Sequence, residues 1–183
     1  MKLIFLLEEF SMKYLLDELL PKILPDDVEF QTIPHTGKSA LEKSIPRKLR
    51  AWNEPNDIRF VILHDQDNKD CRQLKKKLLE LCNVTDRPVL VRIICQELES
   101  WYFGDMNAVA QAYDKPNLRN ISKKKNYRVP DNIQSPKAEL LKLIPNHQQI
   151  SGAKKIAPLM SIENNSSESF QYFISGIHKL IGR

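Results

Sequence analysis

Five carboxylates follow apolar runs of strand length in this chain. Glu8 follows Leu3–Leu7, Asp65 and Asp67 follow Phe60–Leu63, and Glu97 and Glu99 follow Val89–Ile94. Phe60 to Leu63 contains no polar position, so it reads as a strand buried on both faces, which is the habit of a central parallel strand. In a parallel α/β sheet the functional crevice lies outside the carboxyl ends of the strands. All five acids then approach one edge. Like charges gathered there raise one another's pKa values and repel unless a cation or a basic wall compensates them, and an oxygen-rich site suits Mg²⁺ or Mn²⁺. Such a site can position a phosphate ester and activate water or stabilise a leaving oxygen. The plainer readings are that Asp67 caps the helix after it, that Glu97 and Glu99 are first-turn acids favoured by a helix dipole, and that Glu9 is a surface charge.

Geometry at the third acidic position depends on where the strand stops. Glu97 and Glu99 share a face if it continues through both, whereas a helix beginning at Glu97 turns them apart by ~200° and lets only one reach the crevice. Trp101, Tyr102 and Phe103 are apolar enough to anchor a helical start with one acid directed into the crevice, and Glu97, nearest the strand end, is favoured over Glu99.

The elements that must position these acids follow from periodicity. A first strand over Leu3–Leu7 leads into a helix carrying Met12, Leu15, Leu16, Leu19 and Leu20, with Ser11 as N-cap and Pro21 kinking or ending it. Val28–Ile33 is a second strand. Pro46 disfavours helical backbone at Ile45, which predicts a short turn around Leu41 and then a helix over Pro46–Trp52. Leu74, Leu78 and Leu81 mark a helix from about Lys69, and Pro88–Cys95 is a fourth strand. Strands alternating with helices predict βαβ units with right-handed crossovers. Asp105 caps a helix through Ala112, Ser135-Pro136 opens another through Leu143, and Phe170, Phe173, Ile174, Ile177 and Ile181 form an amphipathic C-terminal helix. Lys115 to Gln134 is polar, basic and without clear periodicity, so it reads as a long loop.

Composition narrows the class. The 183 residues are 42% hydrophobic and 28% charged, enough for a globular core rather than disorder. Cys71, Cys82 and Cys95 form no Cys-x-x-Cys pair, which favours reduced cytosolic thiols over a disulfide framework or zinc knuckle. The apolar start is too short for a signal peptide, and no run reaches the ~20 residues of a membrane span, so a cytoplasmic protein without membrane partners is expected. A net charge of +5 suits a polyanionic partner. Lys43, Arg47 and Arg50 fall on one helical face, while Arg119, Lys123, Lys124, Lys125 and Arg128 crowd the long loop around Tyr127, giving a nucleic-acid footprint with an aromatic for stacking. A solvated charge run is the simpler alternative for the loop.

Other motifs fail. Gly37-Lys38-Ser39 lacks a phosphate loop's first glycine, Thr32 standing in its place. Lys69 stands where the aspartyl-phosphate motif of haloacid-dehalogenase-type phosphatases expects Thr or Val, and Lys69-Asp70 excludes an EF-hand. His35, His64, His147 and His178 show no metal-ligand spacing. His64, beside Asp65, reads as a packed histidine ahead of a proton shuttle.

Five stretches carry a resemblance over nearly the whole chain: Leu7-Glu8-Glu9, Gly37 to Arg50, His64-Asp65-Gln66-Asp67, Gln96 to Tyr102, and Ser151 to Pro158. The sequence resembles the small Toprim-like proteins grouped as domain of unknown function 4276. The resemblance implies an α/β, Toprim-like (Rossmann-like), mostly parallel sheet flanked by helices, with the core over 1–104 and a helical extension over 105–183 packed as part of one domain. It further implies Glu8, Asp65 and Asp67 as Mg²⁺ or Mn²⁺ ligands, with Glu97 or Glu99 as a further ligand or proton acceptor. Lys38, Lys43, Arg47, Arg50, Lys123, Lys124, Lys125, Arg128 and Lys154 make up the nucleic-acid-binding set. Where such families have glycine after the first-strand Glu and a second acid in the first helical turn, this chain has Glu9-Phe10-Ser11-Met12. The expected activity is a metal-dependent nuclease or related phosphodiester-cleaving hydrolase, acting in phage defence or DNA repair. The alternative is an inactive binding subunit of an ATPase-containing complex.

Overall fold

A computed structural model describes all residues, Met1–Arg183. Four strands, β1 (Lys2–Leu7), β2 (Glu29–Pro34), β3 (Ile58–Asp65) and β4 (Val89–Ile94), form one all-parallel sheet in the order β2-β1-β3-β4. The three connecting helices are α1 (Phe10–Ile23), α2 (Lys38–Ala51) and α3 (Cys71–Cys82). Alternation along the strands sorts the core into two layers. Leu3, Phe5, Leu7, Val61 and Leu63 join α1 on one face, and Ile4, Leu6, Phe60 and Ile62 join α2 and α3 on the other. The chain leaves β1 toward one edge of the sheet, then returns past it to β3 and continues to the opposite edge. The strand order therefore reverses between β1 and β3, the kind of switch point where an open α/β sheet forms its crevice.

The rest of the chain reinforces the face covered by α1. Helices α4 (Glu99–Phe103), α5 (Met106–Ala112), α6 (Pro136–Leu143), α7 (Gln149–Ile156) and α8 (Glu168–Leu180) share a single core cluster with β1, β3 and α1. Trp101, Tyr102 and Phe103 are all fully buried, and Trp101 donates from Nε1 to Ser169 Oγ at 3.0 Å while packing edge-on against Phe170. The C-terminal layer is thereby locked to the turn that follows β4.

Three local expectations are corrected. Glu9, not Ser11, is the N-cap of α1, and Ser11 lies inside the helix, buried and hydrogen-bonded to the Glu9 carboxylate. Pro21 sits within the last turn, where it removes only one helical hydrogen bond, so α1 continues to the buried Ile23. Likewise α2 is one helix from Lys38, with Pro46 inside it. A proline in a helix interior costs ~3 kcal/mol, but Leu41, Ile45 and Leu49 bury one stripe against the sheet, each contributing roughly 1.5–3 kcal/mol. Burial outweighs the proline.

The basic loop is also more ordered than its composition suggests. Short 3-10 turns over Pro116–Lys123, Lys125–Tyr127 and Pro130–Asn132 fold it onto the body, anchored by buried Leu118, Ile121, Pro130 and Ile133. Tyr127 stacks on Phe103 at 5.4 Å between ring centroids and donates to Glu139 Oε2 at 2.7 Å. Its ring is packing, not a free stacking platform.

Candidate functional site

The acids of β1 and β3 meet because these strands are neighbours in register, Leu7 beside Leu63. Glu8 is buried and its Oε2 accepts the Asp65 backbone N–H at 3.1 Å, with His64 Nδ1 3.0 Å away. This couples the two strand ends directly. His64 is fully buried, its Nδ1 also 2.6 Å from the Asp65 carbonyl, and its Nε2 faces Glu42 Oε1 of α2 at 3.8 Å. It is the packed strand-end histidine expected, now with an acid on each side.

The loops after β3 and β4 are tied together. Gln66 N–H donates to Ile94 O and Asp67 N–H to Gln96 O, at 3.0 and 2.9 Å. Asp67, Asn68 and Gln96 have φ of 49°, 61° and 59°, conformations that cost a non-glycine residue energy and persist where surroundings over-determine them. The turn at Asp67 carries its carboxylate to Lys38 Nζ at 3.0 Å. Asp67 is thus not a helix cap; Asp70 takes that role for α3, accepting from Gln73 N–H.

β4 ends at Ile94, Gln96 lies in the bend that follows it, and α4 starts at Glu99, so the two glutamates diverge. Glu97, expected to turn inward, reaches α6 instead, and Glu99 is the buried acid. Glu97 Oε2 accepts the Lys137 backbone N–H at 2.9 Å, capping the first turn of α6, while Glu99 is 2% exposed. Burial first, then the charges of Glu9 and Glu97, push the Glu99 carboxyl up to about 7. Asp65 is raised well above the usual carboxylate range by burial and then by Glu8, Glu9, Glu99 and Asp67. Its buried Oδ1 has no hydrogen-bond partner. Glu9 is no plain surface charge: burial raises its carboxyl, which holds Ser11 and, through Oε2, Gln149 Nε2 of α7 at 3.2 Å.

Residues unremarked in the sequence complete the surroundings. The Lys137 charge acts on both Glu9 and Glu99, and Gln149 brings α7 to the crevice. No spacing rule joins either to the strand ends, because both arrive through the C-terminal layer. Of the predicted cations, Lys38 meets Asp67, Lys154 sits over the Tyr14 ring at 4.1 Å, and Lys43, Arg47, Arg50, Lys123, Lys124, Lys125 and Arg128 are exposed. The acids ring the crevice without closing on a point: no three His, Cys, Asp or Glu side chains are gathered at ion-binding distances.

Behind α7, Tyr113 Oη and His147 Nδ1 are 2.6 Å apart, and a Cβ on Gly152 falls 2.2 Å from His147 Cε1. Gly152→Ala should therefore cost about 1–3 kcal/mol through overpacking, measured as a lower urea midpoint; an unchanged midpoint means His147 moves freely aside.

An all-parallel α/β sheet with acids at its switch point and helices on both faces defines a Rossmann-like α/β protein. The chain belongs to the family described as domain of unknown function (DUF4276), matched over residues 7–178. No curated protein and no solved structure gives a significant match. No helix is long and apolar enough to cross a membrane.

Proposed function

We propose that this chain is a Toprim-like, Mg²⁺- or Mn²⁺-dependent enzyme that cleaves phosphodiester bonds in nucleic acid, working in the cytoplasm in phage defence or DNA repair. The observation that carries the reading is Asp65: a buried carboxylate with an unpartnered Oδ1, set among Glu8, Glu9, Glu99 and Asp67 at the sheet's switch point. A buried polar atom without a partner is costly, and carboxylates that press one another's pKa upward are stabilised by a cation among them. Glu8, Asp65 and Asp67 are the residues to hold such an ion. A divalent ion there supplies charge stabilisation at a phosphoryl oxygen and a more acidic bound water. Glu99, its carboxyl near 7, is poised to accept a proton on an oxygen at neutral pH. Lys38, paired with Asp67, places a cation at the mouth.

A second reading has its own support. Asp67 already pairs with Lys38 and Glu8 with His64, and no three ligands are gathered, as suits an inactive subunit that binds an ATPase partner. Thermal unfolding separates the two. A ligand at 100 times its Kd stabilises the native state by about 2.7 kcal/mol, so saturating Mn²⁺ should raise the wild-type Tm by roughly 5–10 °C for a chain of this size. Asp65→Asn should abolish the gain and Asp67→Asn should reduce it. An equal Mn²⁺ response in all three proteins contradicts the metal reading.

A further inference from the structure

A second charged feature lies beside the acid crevice and makes no use of its carboxylates. Between the flank of α2 and the end of β2 runs an open groove of 580 Å³, lined by His35, Ser39, Lys43, Ser44, Arg47 and Lys48 among others, with no acid in its walls. Positions 39, 43 and 47 and positions 44 and 48 recur at helical spacing, so they share one stripe of α2. The opposite stripe, Leu41, Ile45 and Leu49, is buried against the sheet. Packing therefore fixes the direction in which the cations point. None of Lys43, Arg47 and Lys48 belongs to an ion pair, although other lysines and arginines form six.

His35 is the floor of the groove. Its Nδ1 lies 2.8 Å from the Leu7 carbonyl and its Nε2 2.7 Å from Ser44 Oγ. A carbonyl only accepts, so Nδ1 carries a proton, while Nε2 shares a hydrogen bond with the serine hydroxyl. The ring is held at both ends. Burial, with Lys48 and Arg47 adding to it, lowers its basicity and opposes a further charge there. The same floor reaches the crevice: His35 N–H donates to Leu7 O and Gly37 N–H to Glu8 O, both at 2.9 Å. Gly37, at φ 97°, makes the turn that starts α2 between the groove and Lys38.

From this arrangement we propose that the α2–β2 groove is a phosphate-binding track that seats the sugar-phosphate backbone of a nucleic-acid strand beside the acid crevice. Three unpaired cations without a competing carboxylate suit a polyanion. No Phe, Tyr or Trp lines the groove, and its one imidazole, His35, is engaged at both ring nitrogens by Leu7 O and Ser44 Oγ, so contact is with phosphates and independent of base. The nature of the occupant rests on the phosphodiester reading above; the binding itself does not depend on cleavage.

Fluorescence anisotropy of a labelled single-stranded oligothymidylate, titrated in EDTA at several salt concentrations, tests this. Lys43→Ala/Arg47→Ala should raise Kd by roughly tenfold and flatten the log Kd against log salt slope by about 1.4, or ~0.7 for each single-strand phosphate that is no longer neutralised. Lys43→Arg should bind like wild type, and circular dichroism should show all variants folded, since both residues are exposed. A wild-type slope in the double variant overturns the proposal. If thymidine monophosphate binds the groove as tightly as the strand does, the occupant is a free nucleotide and the strand proposal is overturned. A wild type that binds through the groove but cuts nothing in Mn²⁺ keeps the track and removes the nuclease; one that cuts while the double variant binds normally does the reverse.

Discussion

Glu99→Gln should stabilise the ion-free protein by about 3 kcal/mol at pH 8 and by almost nothing at pH 4. The native state holds the Glu99 proton up to about 7, against 4.5 for the ordinary carboxyl, and each pKa unit corresponds to 1.36 kcal/mol. Because the native carboxyl is raised, the folded state binds more protons than the unfolded one between these values, and stability falls as pH rises through that window. Glutamine keeps the shape and removes the buried charge, so the variant loses this part of the pH dependence. Urea unfolding in EDTA at several pH values measures it. Asp65→Asn should shift stability in the same direction, since burial and four neighbouring acids raise its carboxyl as well. Glu99→Gln less stable than wild type at pH 8 means its carboxylate is structurally satisfied and not held in a charged crevice.

Such a gain is the reverse of what removing a hydrogen-bonded structural group produces. A core polar group deleted from a satisfied network destabilises, whereas acids gathered for chemistry oppose the fold that gathers them. Glu97 provides the contrast, its Oε2 being engaged by the Lys137 N–H.

Much of the sheet was legible because its signals are local. The unbroken run at Phe60–Leu63 marks a doubly buried strand, and β3 does pair with β1 and β4. Asp105 and Ser135-Pro136 mark true helix starts, Asp105 accepting the Ala108 N–H. Prolines misled where long-range burial overrode a local penalty, as at Pro46. In the basic loop, isolated apolar residues, Leu118, Ile121 and Ile133, anchor 3-10 turns with no helical or strand period to betray them.

At the site, strand-end position was enough to bring Glu8, Asp65 and Asp67 to one edge. Nearness to the strand end suggested Glu97 as the inward acid, but after the left-handed Gln96 it is Glu97 that meets α6 and Glu99 that is buried, a difference that strand-end position does not encode. Lys137, Gln149 and the two-sided setting of His64 depend on tertiary packing alone.

Metal-dependent cleavage itself is the most direct measurement. Single- and double-stranded substrates incubated with Mn²⁺ should be cut by the wild type. Loss of a group that stabilises developing charge in a transition state lowers rates by roughly 10²–10³-fold, and Asp65→Asn should fall in that range. Glu99→Gln should lose about 10²–10⁴-fold, the contribution of a positioned proton acceptor, while Glu97→Gln, whose carboxylate caps α6, should cut nearly as fast as wild type. Circular dichroism must show each variant folded. Cleavage confined to wild type and Glu97→Gln is the predicted result; equal rates in wild type, Asp65→Asn and Glu99→Gln, or no cleavage by the folded wild type on any substrate, contradicts the assignment of this crevice to phosphodiester chemistry.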